Sequence, residues 1–145
     1  MQKGMKRIAR ISLGRVLPHI GEKDFKIRVQ HQEYGSWRNY KVKMTDSRMR
    51  LFGREQKCAC CGLNGQYFWL EHSGCFPPHF NLYGVNRHGH EVMLTMDHIE
   101  PKSKGGKTEP ENLQVLCQRC NKIKKHLPLT LDQLRKRAGI DIIFT

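Results

Sequence analysis

Two Cys-x-x-Cys pairs constrain this 145-residue chain more than any other feature. Cys58 and Cys61 form the first pair, Cys117 and Cys120 the second. A CxxC turn lets two sulfurs converge on one ion, and two such turns complete a tetrahedral thiolate site. The expectation is one structural zinc ion that clamps the start of a small domain to its final helix. Cys60 makes the register of the first pair ambiguous, but the two-residue spacing and the Gly62 that follows favour Cys58 and Cys61. Cys75, with His72 and His79, could join a second metal site, although that stretch reads as a loop. The basic N-terminus is not followed by a secretory apolar segment, so the cysteines point to metal in a reducing compartment rather than to disulfides.

The length suits one modest domain with extensions, and a metal cross-link would help to stabilise its small core. No stretch of about 18 apolar residues is present, which excludes a transmembrane helix. The formal net charge of +13 is unevenly placed. Residues 1–57 carry 15 Lys and Arg against 5 Asp and Glu, whereas residues 58–145 carry 11 against 8. Such a footprint selects polyanions through phosphate contacts and counterion release. Charge alone is equally consistent with a solvated basic surface, a ribosome-like protein or a membrane-surface protein.

From Phe25 the chain alternates, with Phe25, Ile27 and Val29 on one face and Tyr40, Val42 and Met44 repeating the pattern. Tyr34-Gly35-Ser36 between them predicts a β-hairpin. Thr45-Asp46-Ser47 offers caps for a short helix with Met49 and Phe52 as its apolar stripe. Residues 1–20 leave strand and helix open. Tyr67 to Leu70 form a buried run, His72 to His79 a loop, and Asn81–Val85 and Glu91–Met96 two strands joined by a turn. Lys102 to Lys107 read as an exposed, flexible loop, and Thr108-Glu109-Pro110-Glu111 as a capping box opening a helical turn. A helix from near Cys117 or Cys120 to about His126 is ended by Pro128, and Thr130 caps a last helix that Gly139 terminates.

The chemistry gathers near the second CxxC. Asp97 and His98 end a strand, Asn112 lies between that strand and the CxxC, and Asn121 directly follows Cys120. Hydrolysis of a phosphodiester needs an activated water, a charge sink on the phosphate and a stabilised leaving oxygen. His98 can take a proton near neutrality. Asp97 offers a hard oxygen to Mg²⁺ or a similar ion. Neighbours on a strand point to opposite sides, so the two can hold different tasks at one place. Asn121 can add a neutral oxygen once the zinc clamp brings its helix to the strand. An isolated Asp-His dipeptide would be no more than a polar strand end.

The combination resembles the HNH endonuclease family, in its variant with a four-cysteine zinc site. The matching stretch is Met96-Asp97-His98-Ile99-Glu100-Pro101, Gly105-Gly106, Asn112-Leu113-Gln114, Cys117-Gln118-Arg119-Cys120-Asn121 and Lys124, within about residues 58–126. His98 to Asn112 is 14 positions and Asn112 to Asn121 is 9, the register of that family. The resemblance implies an α+β fold with a ββα-metal core. It implies His98 as the general base and Asp97 and Asn121 as ligands of a catalytic divalent ion. Asn112 would brace the loop and orient the histidine, and the four cysteines would hold a separate structural zinc. With Asn at the last position the pattern is H-N-N, which implies Mg²⁺ or Mn²⁺ rather than a softer metal.

Lys124 and Lys125 follow Asn121 by three and four residues and are expected on its helical face against DNA phosphates. Arg119 and the loop lysine Lys104 are further DNA candidates, whereas His126 reads as surface or helix end. The sequence divides into a basic DNA-positioning extension (1–50), the nuclease core (51–127) and a C-terminal helix and tail (128–145). Trp37 and Tyr40, beside Arg38 and Lys41, stack on nucleic acid or pack in the core. The format implies a cytoplasmic enzyme of a bacterial host, encoded by a phage or mobile element. A homodimer and a phage packaging partner stay open. The rival expectation is a catalytically silent zinc-dependent DNA-binding module.

Overall fold

The computed structural model describes residues 4–140. Strand β1 (Lys6–Ser12) runs into a helical turn, α1 (Leu13–Val16), and a 3-10 turn at Leu17–His19. Strands β2 (Phe25–Gln30) and β3 (Trp37–Val42) pair as an antiparallel hairpin, followed by helix α2 (Ser47–Arg54). Strands β4 (Tyr67–Ser73), β5 (Phe76–Val85), β6 (Glu91–His98) and β7 (Leu113–Cys117) precede helices α3 (Gln118–Lys124) and α4 (Leu131–Ala138). Five strands form one sheet in the order β1-β4-β5-β6-β7, every neighbour antiparallel. The α+β expectation holds.

Local chemistry explains most of these elements. The period-two alternation of β2 buries Phe25, Ile27 and Val29 and exposes Lys26, Arg28 and Gln30. Asp46 caps α2 by accepting from the Met49 amide at 2.8 Å, and Met49 and Phe52 are buried on its inner stripe. Thr130 and Gln133 cap α4 reciprocally, and Gly139 in the left-handed region closes it. Phe52, Phe68 and Phe80 meet edge to face, and Phe25 brings the hairpin onto the same core.

The opposite face of the sheet carries a polar network, buried at Glu71 and partly exposed at Glu91. Glu71 is fully buried and accepts from Tyr83 Oη at 2.6 Å, Asn81 Nδ2 at 3.0 Å and Arg7 Nε at 3.4 Å. Glu91 accepts from Tyr67, Trp69 and Arg7. The Arg7 guanidinium also lies over the Trp69 and Tyr83 rings.

Three expectations change. His72 to His79 is a strand–turn–strand rather than a loop, because Glu71 pairs with His79 and Ser73 with Phe76 around a register shift. Pro77 and Pro78 sit beside that irregularity, where a missing N–H is tolerated. Thr108 forms no capping box: Glu109 precedes a short 3-10 turn at Pro110–Asn112, with no side-chain cap. That turn leads into β7, a strand the sequence reading does not contain. Its alternation is short and is interrupted at once by the second CxxC.

Candidate functional site

β6, β7 and α3 form a strand–strand–helix unit. Asp97 lies opposite Gln114, and His98 opposite Leu113, in the β6–β7 register. A cleft of about 900 Å³ opens beside this unit. Asp97, His98 and Asn121 line it, with Thr95, Gln118 and His126, and Lys102, Lys122 and Lys125 bring positive charge to its walls.

Asp97 is 7% exposed and is held by protein donors on one side. Lys124 Nζ lies 3.2 Å from its Oδ2, and Gln114 Nε2 donates to the same oxygen at 3.0 Å. The same ammonium donates to the His98 carbonyl at 3.0 Å, so one lysine fixes both halves of the Asp-His pair. The His98 ring meets Thr108 through Nε2···Oγ1 at 2.8 Å. With Nε2–H as donor, Nδ1 is left as the basic nitrogen. Asn121 donates from Nδ2 to Thr95 Oγ1 at 2.8 Å, and that hydroxyl is itself anchored on the Leu116 carbonyl at 2.7 Å. The amide nitrogen is thus committed, and Oδ1 is the atom of Asn121 suited to a hard cation.

Asn112 straps the loop beside the cleft. Its side chain accepts from Glu100 N at 2.8 Å and donates to the Glu100 and Lys107 carbonyls at 3.1 and 2.8 Å. Inside that strap the backbone is crowded: a Cβ on Gly106 would lie 1.8 Å from the Glu100 carbonyl oxygen, and Gly105 has φ 91°. The run read as a loose Lys102–Lys107 loop is therefore a hydrogen-bonded turn.

The four cysteines converge as their spacing predicts. The Sγ atoms of Cys58, Cys61, Cys117 and Cys120 all lie within 4.8 Å of one another. Cys61 and Cys117 are 3.8 Å apart, which matches the edge of a zinc tetrahedron with bonds of about 2.3 Å. Hydrogen bonds from Cys117, then Cys120, bring the Cys61 thiol down to about 7. The same crowding, through Cys117 first, pushes Cys120 up. Four sulfurs this close need a cation before all can be thiolates, and the donor set fits zinc. Cys60 is buried beside the cluster but outside it. Its carbonyl, and that of Ala59, accept from Arg135, which ties α4 to the first CxxC turn. Exposed Cys75 joins neither His72 nor His79 in a metal-ligand group among the described residues.

Two expected roles need correction. Lys124 is fully buried and bonded to Asp97, so it is not presented to a phosphate outside the cleft. Helix α3 ends there, and Lys125, at φ 55°, turns the chain so that Lys125 and His126 both reach the cleft wall. The partner of the His98 ring is Thr108 rather than Asn112, whose side chain is occupied with Glu100 and Lys107. Lys104 and Arg119 are exposed but do not line the cleft. Sequence reasoning missed Thr108, Gln114 and Thr95. Gln114 was accessible in principle, since counting back from Cys117 along an antiparallel partner of β6 places it opposite Asp97.

With this geometry in place, comparison with known proteins gives one positive result. Residues 86–127 match the family model described as HNH endonuclease. The match covers β6, β7 and α3, and with them the cleft triad, Asn112 and the second CxxC. The segment is similar to a nuclease-type domain. Neither a curated protein nor a solved structure matches the chain. No helix among the described residues is long and apolar enough to cross a membrane.

Proposed function

We propose that this chain is a metal-dependent DNA endonuclease of the HNH type. The observation that carries the proposal is the convergence of Asp97, His98 and Asn121 on one cleft walled by Lys102, Lys122 and Lys125. Asp97 and Asn121 would hold Mg²⁺ or Mn²⁺ through their side-chain oxygens, which are hard donors. A bound divalent ion supplies the charge sink for the scissile phosphate.

The protein's own groups do the rest. Thr108 holds the His98 ring by Nε2, and Nδ1 accepts the proton of the attacking water. Lys124 keeps Asp97 paired and fixes the His98 carbonyl, so the two neighbouring side chains stay in register. The cleft lysines meet the phosphates flanking the scissile bond. Attack at phosphorus leaves 5′-phosphate and 3′-hydroxyl ends, and one such site cuts one strand at a time. The zinc cluster takes no part in the chemistry and holds α3 against the strands.

The test is conversion of supercoiled plasmid by zinc-loaded protein in Mg²⁺ or Mn²⁺, beside an EDTA control and His98→Ala. The expected result is metal-dependent nicking or linearisation that falls at least ~100-fold in the variant. Wild-type protein that retards the plasmid in a gel but cuts it with neither metal would replace this reading with a silent zinc-dependent binding module.

A further inference from the structure

The β2–β3 hairpin has two unlike faces. In its register Phe25 opposes Val42 and Ile27 opposes Tyr40, and these residues pack inward. The other face pairs Lys26 with Lys41, Arg28 with Asn39 and Gln30 with Trp37. All six are exposed, and Trp37 retains 58% of its surface. No acidic residue lies in these rows. Lys26 directly faces Lys41, a like-charge cross-strand pair that costs stability. The Arg28 guanidinium lies 6.0 Å from the Trp37 ring, and Arg15 donates to the Arg28 carbonyl from the side at 2.9 Å.

We infer that this face enters the major groove of duplex DNA as a two-stranded ribbon. The inference rests on the endonuclease reading for its choice of DNA. The geometry is suitable, because strands about 4.8 Å apart, with their side chains, fit a groove about 12 Å wide. Lys26 and Lys41 sit at one end of the ribbon as the phosphate-contacting pair, and a polyanion removes their mutual repulsion. Arg28 and Asn39 stand in the middle, and Gln30 lies opposite Trp37 in the last row. Arginine pairs in two-pronged fashion with guanine, and asparagine or glutamine with adenine, so these three read base edges. Trp37 covers the ribbon's far end as an apolar contact. An A-form RNA duplex is a poor alternative, because its major groove is too narrow for side chains to read.

The test uses the full-length, zinc-loaded His98→Ala protein without added catalytic metal, so that binding is read apart from cleavage. Fluorescence anisotropy follows a labelled 25-base-pair DNA duplex through a salt series. Replacing Lys26, Arg28 and Lys41 together by Gln should weaken binding ~10–100-fold near 0.1 M salt and make the log–log salt slope shallower by about 2–3. Asn39→Ala should leave that slope unchanged but alter the base preferred at one position among sites selected from a random duplex pool. Zinc content and melting temperature must match the parent, which separates lost contacts from lost fold. Affinity within twofold of the parent for the triple variant, or equal competition by single strands or duplex RNA, would overturn the ribbon. A wild type that never cuts plasmid, with the triple variant still losing duplex affinity, would sink the endonuclease reading and leave the ribbon standing.

Discussion

Cys120 and Asn121 are neighbours on α3, yet they serve two places of opposite character. Cys120 faces a cluster of four sulfurs, three of them buried and that of Cys61 partly exposed. Asn121 faces a cleft where Asp97 has donors on one side and open space on the other. A four-coordinate sulfur site leaves no position for a substrate, whereas an open oxygen site with a basic wall does. One helix thereby couples an anchoring device to a working surface. The largest predicted effect follows from this division. Cys117→Ser should reduce zinc from one ion per chain to none and abolish cooperative thermal unfolding, since structural zinc contributes about 10 kcal/mol or more in small domains of this kind. Metal analysis and a circular-dichroism melt decide it. A sharp melt without zinc would show that the cluster does not anchor the fold.

The next effect separates the two places from the cleft side. Lys124 and Asp97 form an ion pair that is almost wholly out of water. Lys124→Met leaves Asp97 as an uncompensated charge beside a pocket and should cost ~3–5 kcal/mol in urea unfolding, with zinc content unchanged. Adding Asp97→Asn should restore much of that loss, because the remaining partner is then neutral. If the single variant is as stable as the parent, or the double variant is worse, Lys124 is not the counter-ion of Asp97 and its burial needs another cause.

The same contrast explains what the sequence reveals. Cys58, Cys61, Cys117 and Cys120 are legible because spacing alone dictates how thiolates meet around an ion. Asp97, His98, Asn112 and Asn121 are legible as a register; the first two and Asn121 line the cleft, and Asn112 straps the loop beside it. The supporting residues are not legible. Lys124 reads as a surface cation because its spacing from Asn121 matches one helical turn, whereas the packing of α3 on β6 places it inside. Thr108 lies ten positions from His98, and only the fold of the intervening turn brings it to the ring. Gln114 acquires meaning only once β7 is known to pair with β6. For His72 to His79, two prolines outweigh a hairpin that is set by the register of its neighbours. The hairpin and α2 were legible because alternation and an aspartate cap are local signals. The membership of β1 in the main sheet is a long-range pairing with no local signature.

The smallest effect sharpens the comparison with a polar cluster away from both places. Glu91 lies in the network of Arg7, Tyr67 and Trp69, and it touches neither the sulfur cluster nor the cleft. Burial pushes its carboxyl up, but hydrogen bonds from Tyr67, Arg7 and Trp69 outweigh that and hold it below its ordinary value near 4.5. The folded state therefore binds fewer protons than the unfolded one in that range. Its stabilising contribution is fully present above about pH 4.5 and is lost as pH falls through the lower, folded value. Because the group is partly exposed, the contribution should be on the order of 1 kcal/mol. Melting temperature against pH should fall more steeply below about pH 4.5 for wild type than for Glu91→Gln. The two curves should converge in acid, and DNA cleavage per folded molecule at neutral pH should be unchanged. Parallel curves would remove Glu91 from the fastening network. A variant that melts normally but cuts poorly would show that this network reaches the cleft after all.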